Sequence, residues 1–272
     1  MTPLFANSGF IRAKERLVLK GGLWGRSVKL RVRYGVVRHP KAGVILVDTG
    51  YGPLPADPGP GLRLYNKVLR PELVAAQAPA EVLRQIGAEM ADVQLIILTH
   101  FHADHLGGLS LFPNAQIMAR RSVYENIKNR SKLSNPHHGV FTSLLPDNLG
   151  ARMTDVATLP MCAAPLGLGE GHDLLADGSM LAIDLPGHAE GHFGICFPQL
   201  TTPLLYAVDV QWLHLACHEA RLPGLPTTLI MDDKAAALRS SAKAAQFSAA
   251  GGDLVLCHAP ELGRFDLGYG AP

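Results

Sequence analysis

The 272-residue sequence lacks the features that mark several common classes of protein. No long apolar run occurs near its start, where Arg12, Lys14 and Glu15 appear early, so we expect neither a secretory signal nor a membrane span. Its formal net charge is only +2, and no basic block or stripe is present. We therefore expect neither nucleic acid nor a membrane as a partner.

Paired cysteines are also missing. The four cysteines, Cys162, Cys196, Cys217 and Cys257, form no CxxC motif. In a chain without a recognisable signal, this usage predicts reduced thiols and a cytoplasmic location.

The sequence does contain enough apolar residues for a sizeable core, since 47% of its residues are hydrophobic. No internal repeat or shift in composition marks a boundary, so a single domain over 1–272 is the simpler prediction. Apolar runs typical of strands occur at 28–37, 44–47, 93–98, 180–183, 204–208 and 254–257. Helical patterns occur at 72–88, which Pro79 divides or restarts, at 122–132 and at 233–249. This mixture predicts a layered α/β domain, with a loop at 51–61.

Potential metal ligands follow many of these apolar runs. The run before residue 48 ends at Asp48, and the run at 93–98 leads into THFHADHLGG. Side chains at strand ends converge on one rim in open α/β folds. We expect such a cluster to contain His100, His102, Asp104, His105, His188, Asp209 and His258.

The donors in this cluster are nitrogen and oxygen atoms, which suit zinc and also manganese, iron or cobalt. Seven ligands are too many for one tetrahedral ion. Two divalent ions that share a carboxylate, about 3.5–4 Å apart, fit the set better.

These motifs resemble those of the metallo-β-lactamase superfamily. THFHADHLGG is similar to its metal-binding signature, LPGHAEGH to its second histidine motif and YAVD to its bridging-aspartate motif. LCHAPE resembles the last histidine motif, and VDTG matches an early strand end. The resemblance implies an αββα sandwich, in which two mixed sheets pack face to face with helices outside.

The resemblance also implies a division of the ligands. His100, His102 and His188 would hold the first metal, and Asp104, His105 and His258 the second, with Asp209 between them. Metal-bridged hydroxide would attack the substrate, and Asp104 would pass a proton to the leaving group.

Within the superfamily, the sequence is most similar to the N-acyl homoserine lactone lactonases. Many zinc β-lactamases place cysteine or serine where this chain has Asp209. The lactonases generally carry tyrosine three residues after the bridging aspartate, where this chain has Trp212, although Tyr206 or His214 could take that role. We expect a hydrolase of lactones or esters, acting on a small molecule with an apolar part.

Three other functions stay open. They are a phosphotriesterase or general esterase at the same site, a mononuclear iron persulfide dioxygenase, and a non-catalytic sensor. A homo-oligomer is also compatible with the sequence.

Some expectations concern residues around the ligands. Asp48, Thr99 and His192 are candidates to orient them, and ordinary strand-end hydrogen bonding is an equal alternative. Cys257 precedes His258 and would point to the opposite face if the stretch is extended. The sequence therefore predicts that Cys257 lies outside the metal shell.

Overall fold

The structure is a computed structural model that describes residues 1–131 and 134–270, and the chain forms two compact units. The first unit comprises Met1–Arg12, Arg31–Thr154 and the segment that starts at Leu262. The second unit comprises Ala13–Leu30 and Asp155–Glu261. The single domain over 1–272 stays a prediction. Among the described residues, no helix has the length and apolarity needed to cross a membrane.

Strands account for much of both units. In chain order they are β1 (Leu4–Lys14), β2 (Ser27–His39), β3 (Gly43–Val47), β4 (Glu72–Leu73), β5 (Val93–Ile97), β6 (Gln116–Ala119), β7 (Met153–Asp155), β8 (Met161–Ala164), β9 (Gly169–Asp173), β10 (Leu181–Asp184), β11 (Phe193–Phe197), β12 (Leu204–Val208) and β13 (Asp253–Leu256). The helices are α1 (Glu15–Val18), α2 (Gly59–Leu69), α3 (Pro79–Gln85), α4 (Ala103–Leu106), α5 (Arg121–Asn129), α6 (His214–His218) and α7 (Lys234–Ala249).

The sheet of the first unit has the strand order β4-β1-β2-β3-β5-β6-β7. Strands β3, β5 and β6 are parallel neighbours, whereas β2 pairs antiparallel with β3. The apolar runs of β3 and β5 are buried almost throughout, as parallel strands covered on both faces require. Leu46 and Ile96 share one core with Leu62 of α2, Leu83 of α3 and Val123 of α5.

The sheet of the second unit has the order β13-β12-β11-β10-β9-β8. Its strands pair antiparallel except β12 and β13, which are parallel. Helix α7 packs Phe247 into a core with Leu181 and Leu205. Asp233 caps the start of α7, because its side chain accepts hydrogen bonds from the backbone N–H groups of Ala235 and Ala236.

The expected pair of mixed sheets flanked by helices is confirmed. Residues 72–88 depart from the predicted pattern in their first half, where β4 and a 3₁₀ turn (Ala75–Gln77) replace helix. Helix α3 starts at Pro79, because proline fits the first helical position. Helix α5 covers most of the segment predicted at 122–132, whose residue Lys132 lies outside the described residues.

Two pairs of parallel strands position the polar motifs. Strands β3 and β5 end side by side in the first unit, and Asp48 and the histidine motif follow them. Strands β12 and β13 end side by side in the second unit, and Asp209 and His258 follow them. In each unit, therefore, polar residues that are distant in sequence follow the carboxyl ends of two neighbouring parallel strands.

Candidate metal centre

Three histidines of the first unit lie together directly after β5. The rings of His100 and His102 meet edge to face with centroids 4.6 Å apart, and the ring of His105 lies 4.1 Å from that of His100. A ring nitrogen of His100 and one of His102 are within 4.8 Å of each other. The short helix α4 brings His105 back beside His100, since the His105 N–H donates to the His102 carbonyl at 3.1 Å.

Asp48 is hydrogen-bonded to the residues of this histidine group. Its Oδ1 accepts the backbone N–H of Thr99 at 2.8 Å, and its Oδ2 lies 2.8 Å from Nδ1 of His105. The Thr99 hydroxyl lies 2.9 Å from Oδ2 and 3.1 Å from Oδ1. The same hydroxyl lies 3.1 Å from Nδ1 of His100. One carboxylate is thus linked to two imidazoles.

These contacts fix which ring nitrogens carry protons when Asp48 is ionised. A carboxylate only accepts, so His105 Nδ1 and the Thr99 hydroxyl both donate to it. The hydroxyl has then used its single proton, and His100 Nδ1 donates to Thr99 Oγ1. Both rings therefore present Nε2 with a lone pair, which is the form that binds a metal.

Asp48 occupies a costly position. It is completely buried, which raises the pKa of its carboxyl group, while the charge and hydrogen bonds of His105 and Thr99 oppose that rise. Its backbone φ is +59°, in the left-handed region that non-glycine residues seldom adopt. Both the burial and the backbone conformation cost folding free energy, as is common for residues held in place for function.

Asp104, the predicted proton donor, lies in the first turn of α4 and is 7% exposed. Its Oδ2 is 3.9 Å from Nε2 of His105. His102 occupies the N-cap position of the same helix, and a Cβ at Gly139 would lie only 2.7 Å from its ring. The segment around Gly139 therefore packs against the His102 imidazole.

In the second unit, one carboxylate oxygen of Asp209 lies close to the imidazoles of both His188 and His258. Its Oδ2 lies 3.2 Å from Nε2 of His188 and also 3.2 Å from Nε2 of His258. Donors around one tetrahedral zinc ion are roughly 3.3–3.6 Å apart, given its usual bond lengths. Each imidazole therefore stands at about ligand spacing from the same carboxylate oxygen.

His192 holds the backbone of Asp209. Its Nδ1 donates to the Leu185 carbonyl at 2.7 Å, and its Nε2 accepts the Asp209 N–H at 3.2 Å. Val208, just before Asp209, has a φ of +54°, which is a true outlier for a β-branched residue. The strand thus turns abruptly at the point where it delivers the carboxylate.

The turn before His188 leaves no space for a side chain. Gly187 has a φ of +121°, and a Cβ there would collide with the backbone of Ala237 in α7. The Gly187 carbonyl also accepts the Asp233 N–H at 3.1 Å. The start of α7 therefore supports the turn that carries His188.

The Trp212 ring contacts two histidines of this unit, His188 and His258. Its ring meets His188 at 6.2 Å and His258 at 6.1 Å, edge to face in both cases. Within the described residues its buried indole nitrogen has no hydrogen-bond partner. Tyr206 is wholly buried in β12, and His214 begins α6.

Cys257 lies close to two of the expected ligands, although the sequence predicts that it points away from His258. The expectation assumed an extended stretch, but β13 ends at Leu256 and a turn carries Cys257 and His258. The Cys257 Sγ, a carboxylate oxygen of Asp209 and a ring nitrogen of His258 lie within 4.8 Å of one another. The end of the strand, one residue earlier than predicted, accounts for the difference.

A cavity of about 310 Å³ opens in the first unit beside the histidine motif. Ala103 and Gly107 of that motif form part of its wall. The rest is mainly aliphatic and aromatic, including Tyr51, Leu62 and Tyr65. No motif predicts this cavity, because its wall combines residues of the proline-rich loop with residues of α2.

Comparisons with known proteins agree with these motifs. The model of the metallo-beta-lactamase superfamily matches residues 29–243. The chain is 26% identical to the N-acyl homoserine lactonase AttM of Agrobacterium fabrum over 220 residues, which cover 80% of this chain and 79% of that protein. It is 43% identical over 76 residues to the probable metallo-hydrolase Rv2300c of Mycobacterium tuberculosis, which is 28% of this chain and 24% of the relative's length.

Among solved structures, AidC, a dizinc quorum-quenching lactonase in complex with a product, has a similar fold. Its TM-score is 0.65 at 16% identity, over 95% of this chain and 86% of that one. At this level of identity the similarity concerns the fold.

Proposed function

Since the chain belongs to the metallo-β-lactamase superfamily, we propose that it is a dinuclear metal-dependent hydrolase that opens lactones or cleaves related esters. The observation that carries the proposal is the single oxygen, Oδ2 of Asp209, at 3.2 Å from the Nε2 atoms of both His188 and His258. An oxygen flanked by two such nitrogens suits a carboxylate that serves two cations.

The proposed ligand set follows the order of the family motifs along the chain. His100, His102 and His188 would hold the first cation, Asp104, His105 and His258 would hold the second, and Asp209 would contribute to both. Nitrogen and oxygen donors of this kind favour zinc, with manganese, iron and cobalt as alternatives.

The proton positions support this set. When ionised, Asp48 would keep the protons of His100 and His105 on Nδ1, directly or through Thr99, so that each ring offers Nε2. His192 donates from Nδ1 to a carbonyl and steadies the Asp209 backbone with Nε2. Such supporting contacts are typical of metal sites.

When bound, two divalent cations would supply hydroxide near neutral pH and stabilise negative charge on a substrate oxygen. The residues of the chain would then manage the remaining proton. Asp104 is buried, with 7% of its surface exposed. Its carboxyl group would carry a proton to the alkoxide oxygen that leaves when an ester bond breaks.

The cavity beside Ala103 and Gly107 is proposed to take the apolar part of the substrate. Its volume of about 310 Å³ is at the small end of the range for ligand pockets. Leu62 and Leu144 in its wall offer apolar contacts, whereas Asn66 and Arg70 in the same wall supply polar groups. N-acyl homoserine lactones, with a polar ring and an aliphatic chain, match this combination.

A phosphotriesterase or general esterase is the second candidate, and Trp212 favours it. The phenol that lactonases generally present at this position is missing, and the indole nitrogen is buried. A substrate that needs no phenol donor would be less affected by this replacement.

A substrate panel with metal analysis tests the proposal. The panel contains acyl homoserine lactones of several chain lengths, simple lactones, aryl esters and phosphotriesters. We expect about two zinc-like ions per chain and the highest kcat/KM on lactones with an acyl chain. One iron per chain and no hydrolysis would refute the proposal and favour the dioxygenase.

Asp209→Ala provides the matching variant. Because it removes the shared carboxylate, we expect metal and hydrolytic activity to be lost together. Asp232→Asn, at an exposed carboxylate of the same unit, is the control and should keep both. Two metals and full rate in Asp209→Ala would contradict the assignment.

A further inference from the structure

The end of β13 places the thiol of Cys257 close to Asp209 and His258, where the sequence motif around His258 predicts no sulfur ligand. The Cys257 N–H donates to the Val208 carbonyl at 2.9 Å, which fixes Cys257 beside the residue that precedes Asp209. Cys257 and His258 lie in the turn that follows β13, where the alternation of side chains along an extended strand no longer applies. Cys257 and His258 can therefore serve the same side of the strand end.

The Cys257 thiol lies close to two proposed ligands, Asp209 and His258. Its Sγ is within 4.8 Å of a carboxylate oxygen of Asp209 and of a ring nitrogen of His258. All three residues are buried, at 0%, 3% and 4% exposure. Sulfur, nitrogen and oxygen around one zinc ion stand roughly 3.3–3.6 Å apart, so modest side-chain movement brings the three into one coordination shell.

We propose that Cys257 is a sulfur ligand of the cation held by Asp209 and His258. This inference rests on the proposed function, because it concerns one half of the same metal centre. When the sulfur–metal bond forms, the S–H bond breaks and the proton leaves to the buffer. No oxidant or reductant takes part in this step.

A sulfur ligand changes which metals the site prefers. Thiolate is a soft donor that favours zinc and similar ions, whereas carboxylate and water favour magnesium, calcium and manganese. A ligand set of nitrogen and oxygen donors alone is also compatible with manganese. With Cys257 in the shell, zinc, cobalt and cadmium bind in preference to manganese.

Absorption of the cobalt-loaded protein tests the proposal directly. Protein produced in cobalt medium should show visible bands from cobalt in the site and a near-ultraviolet charge-transfer band from sulfur to cobalt. Cys257→Ala and Cys257→Ser should lose the charge-transfer band and keep the visible bands. Cys162→Ser is the control and should keep both, since Cys162 lies in β8 at the opposite edge of the same sheet.

X-ray absorption of the native zinc-loaded protein gives a second measurement that needs no variant. A sulfur neighbour at about 2.3 Å from zinc supports the proposal. Visible cobalt bands without a charge-transfer band, and zinc without a sulfur neighbour, overturn it while the metal centre stands. A charge-transfer band that persists in Cys257→Ala also overturns it. Failure to bind cobalt or zinc at all refutes the proposed function itself.

Discussion

Asp48 contacts His105 directly and His100 through Thr99, and Asp48→Asn tests whether it orients these two proposed ligands. The amide oxygen of asparagine can still accept the Thr99 N–H that Oδ1 accepts at 2.8 Å. The amide nitrogen would then replace Oδ2, which lies 2.8 Å from His105 Nδ1. Two donors would face each other unless the imidazole proton moves to Nε2, the atom that should bind the metal.

The expected magnitude follows from this conflict. Loss of a group that orients a metal-bound histidine typically costs 10–100-fold in metal affinity or activity, which is about 1.4–2.7 kcal/mol. Because Thr99 also connects Asp48 to His100, we expect a result near the upper end of that range. Zinc affinity is measured by competition with a coloured chelator, and kcat/KM is measured on the best substrate of the panel.

Asp147→Asn is the control, because Asp147 is an exposed carboxylate of the same unit. It should leave both zinc affinity and kcat/KM unchanged. If Asp48→Asn binds zinc and turns over substrate like the native protein, Asp48 does not set the proton positions of His100 and His105.

Three further predictions concern stability and reactivity. Arg33 and Asp266 form a buried ion pair with contacts of 2.7 and 3.0 Å. Asp266→Ala should therefore lower the free energy of unfolding by about 3–5 kcal/mol in urea denaturation, with a native-like value counting against the pair. Gly187→Ala should lower the free energy of unfolding by about 2–6 kcal/mol, because the added Cβ strains the backbone and collides with α7. Urea denaturation measures this change, and a decrease below about 1 kcal/mol would contradict the tight packing. Burial raises the pKa of the Cys196 thiol to about 12, so iodoacetamide at pH 8 should modify the half-buried Cys162 first, as peptide mass spectrometry would show; earlier labelling of Cys196 would refute this.

The strands that carry the site were predictable because they are short, continuous apolar runs. Strands β3, β5 and β12 occur where hydrophobic residues cluster and end where a polar motif begins. Burial on both faces removes the alternation that marks exposed strands, but it leaves a run that is easy to recognise. The same runs locate every proposed ligand near a strand end.

The first strand was missed for a physical reason. Polar residues interrupt β1, and the tertiary structure satisfies them: Asn7 Oδ1 accepts the Val32 N–H at 2.9 Å, and the Ser8 hydroxyl donates to the Val32 carbonyl at 3.0 Å. These partners lie more than 20 residues away in sequence. A local pattern therefore reads the segment as irregular.

Helix α2 was missed because it begins with Gly59, Pro60 and Gly61, a composition typical of a loop. Burial of Leu62 in the core of the first unit outweighs the weak local propensity. The predicted strand at 254–257 extends one residue too far, since β13 ends at Leu256 and Cys257 lies in the following turn. The exclusion of Cys257 from the metal shell stays a prediction.

The left-handed backbone at Asp48 has a consequence for protein engineering. Glycine would adopt that conformation with less strain and would bring no charge into a dry interior. Glycine would also remove the acceptor of the Thr99 N–H and of His105 Nδ1, both of which are buried. A substitution that relieves the backbone therefore removes buried hydrogen bonds, so a thermostabilised library should hold residue 48 constant.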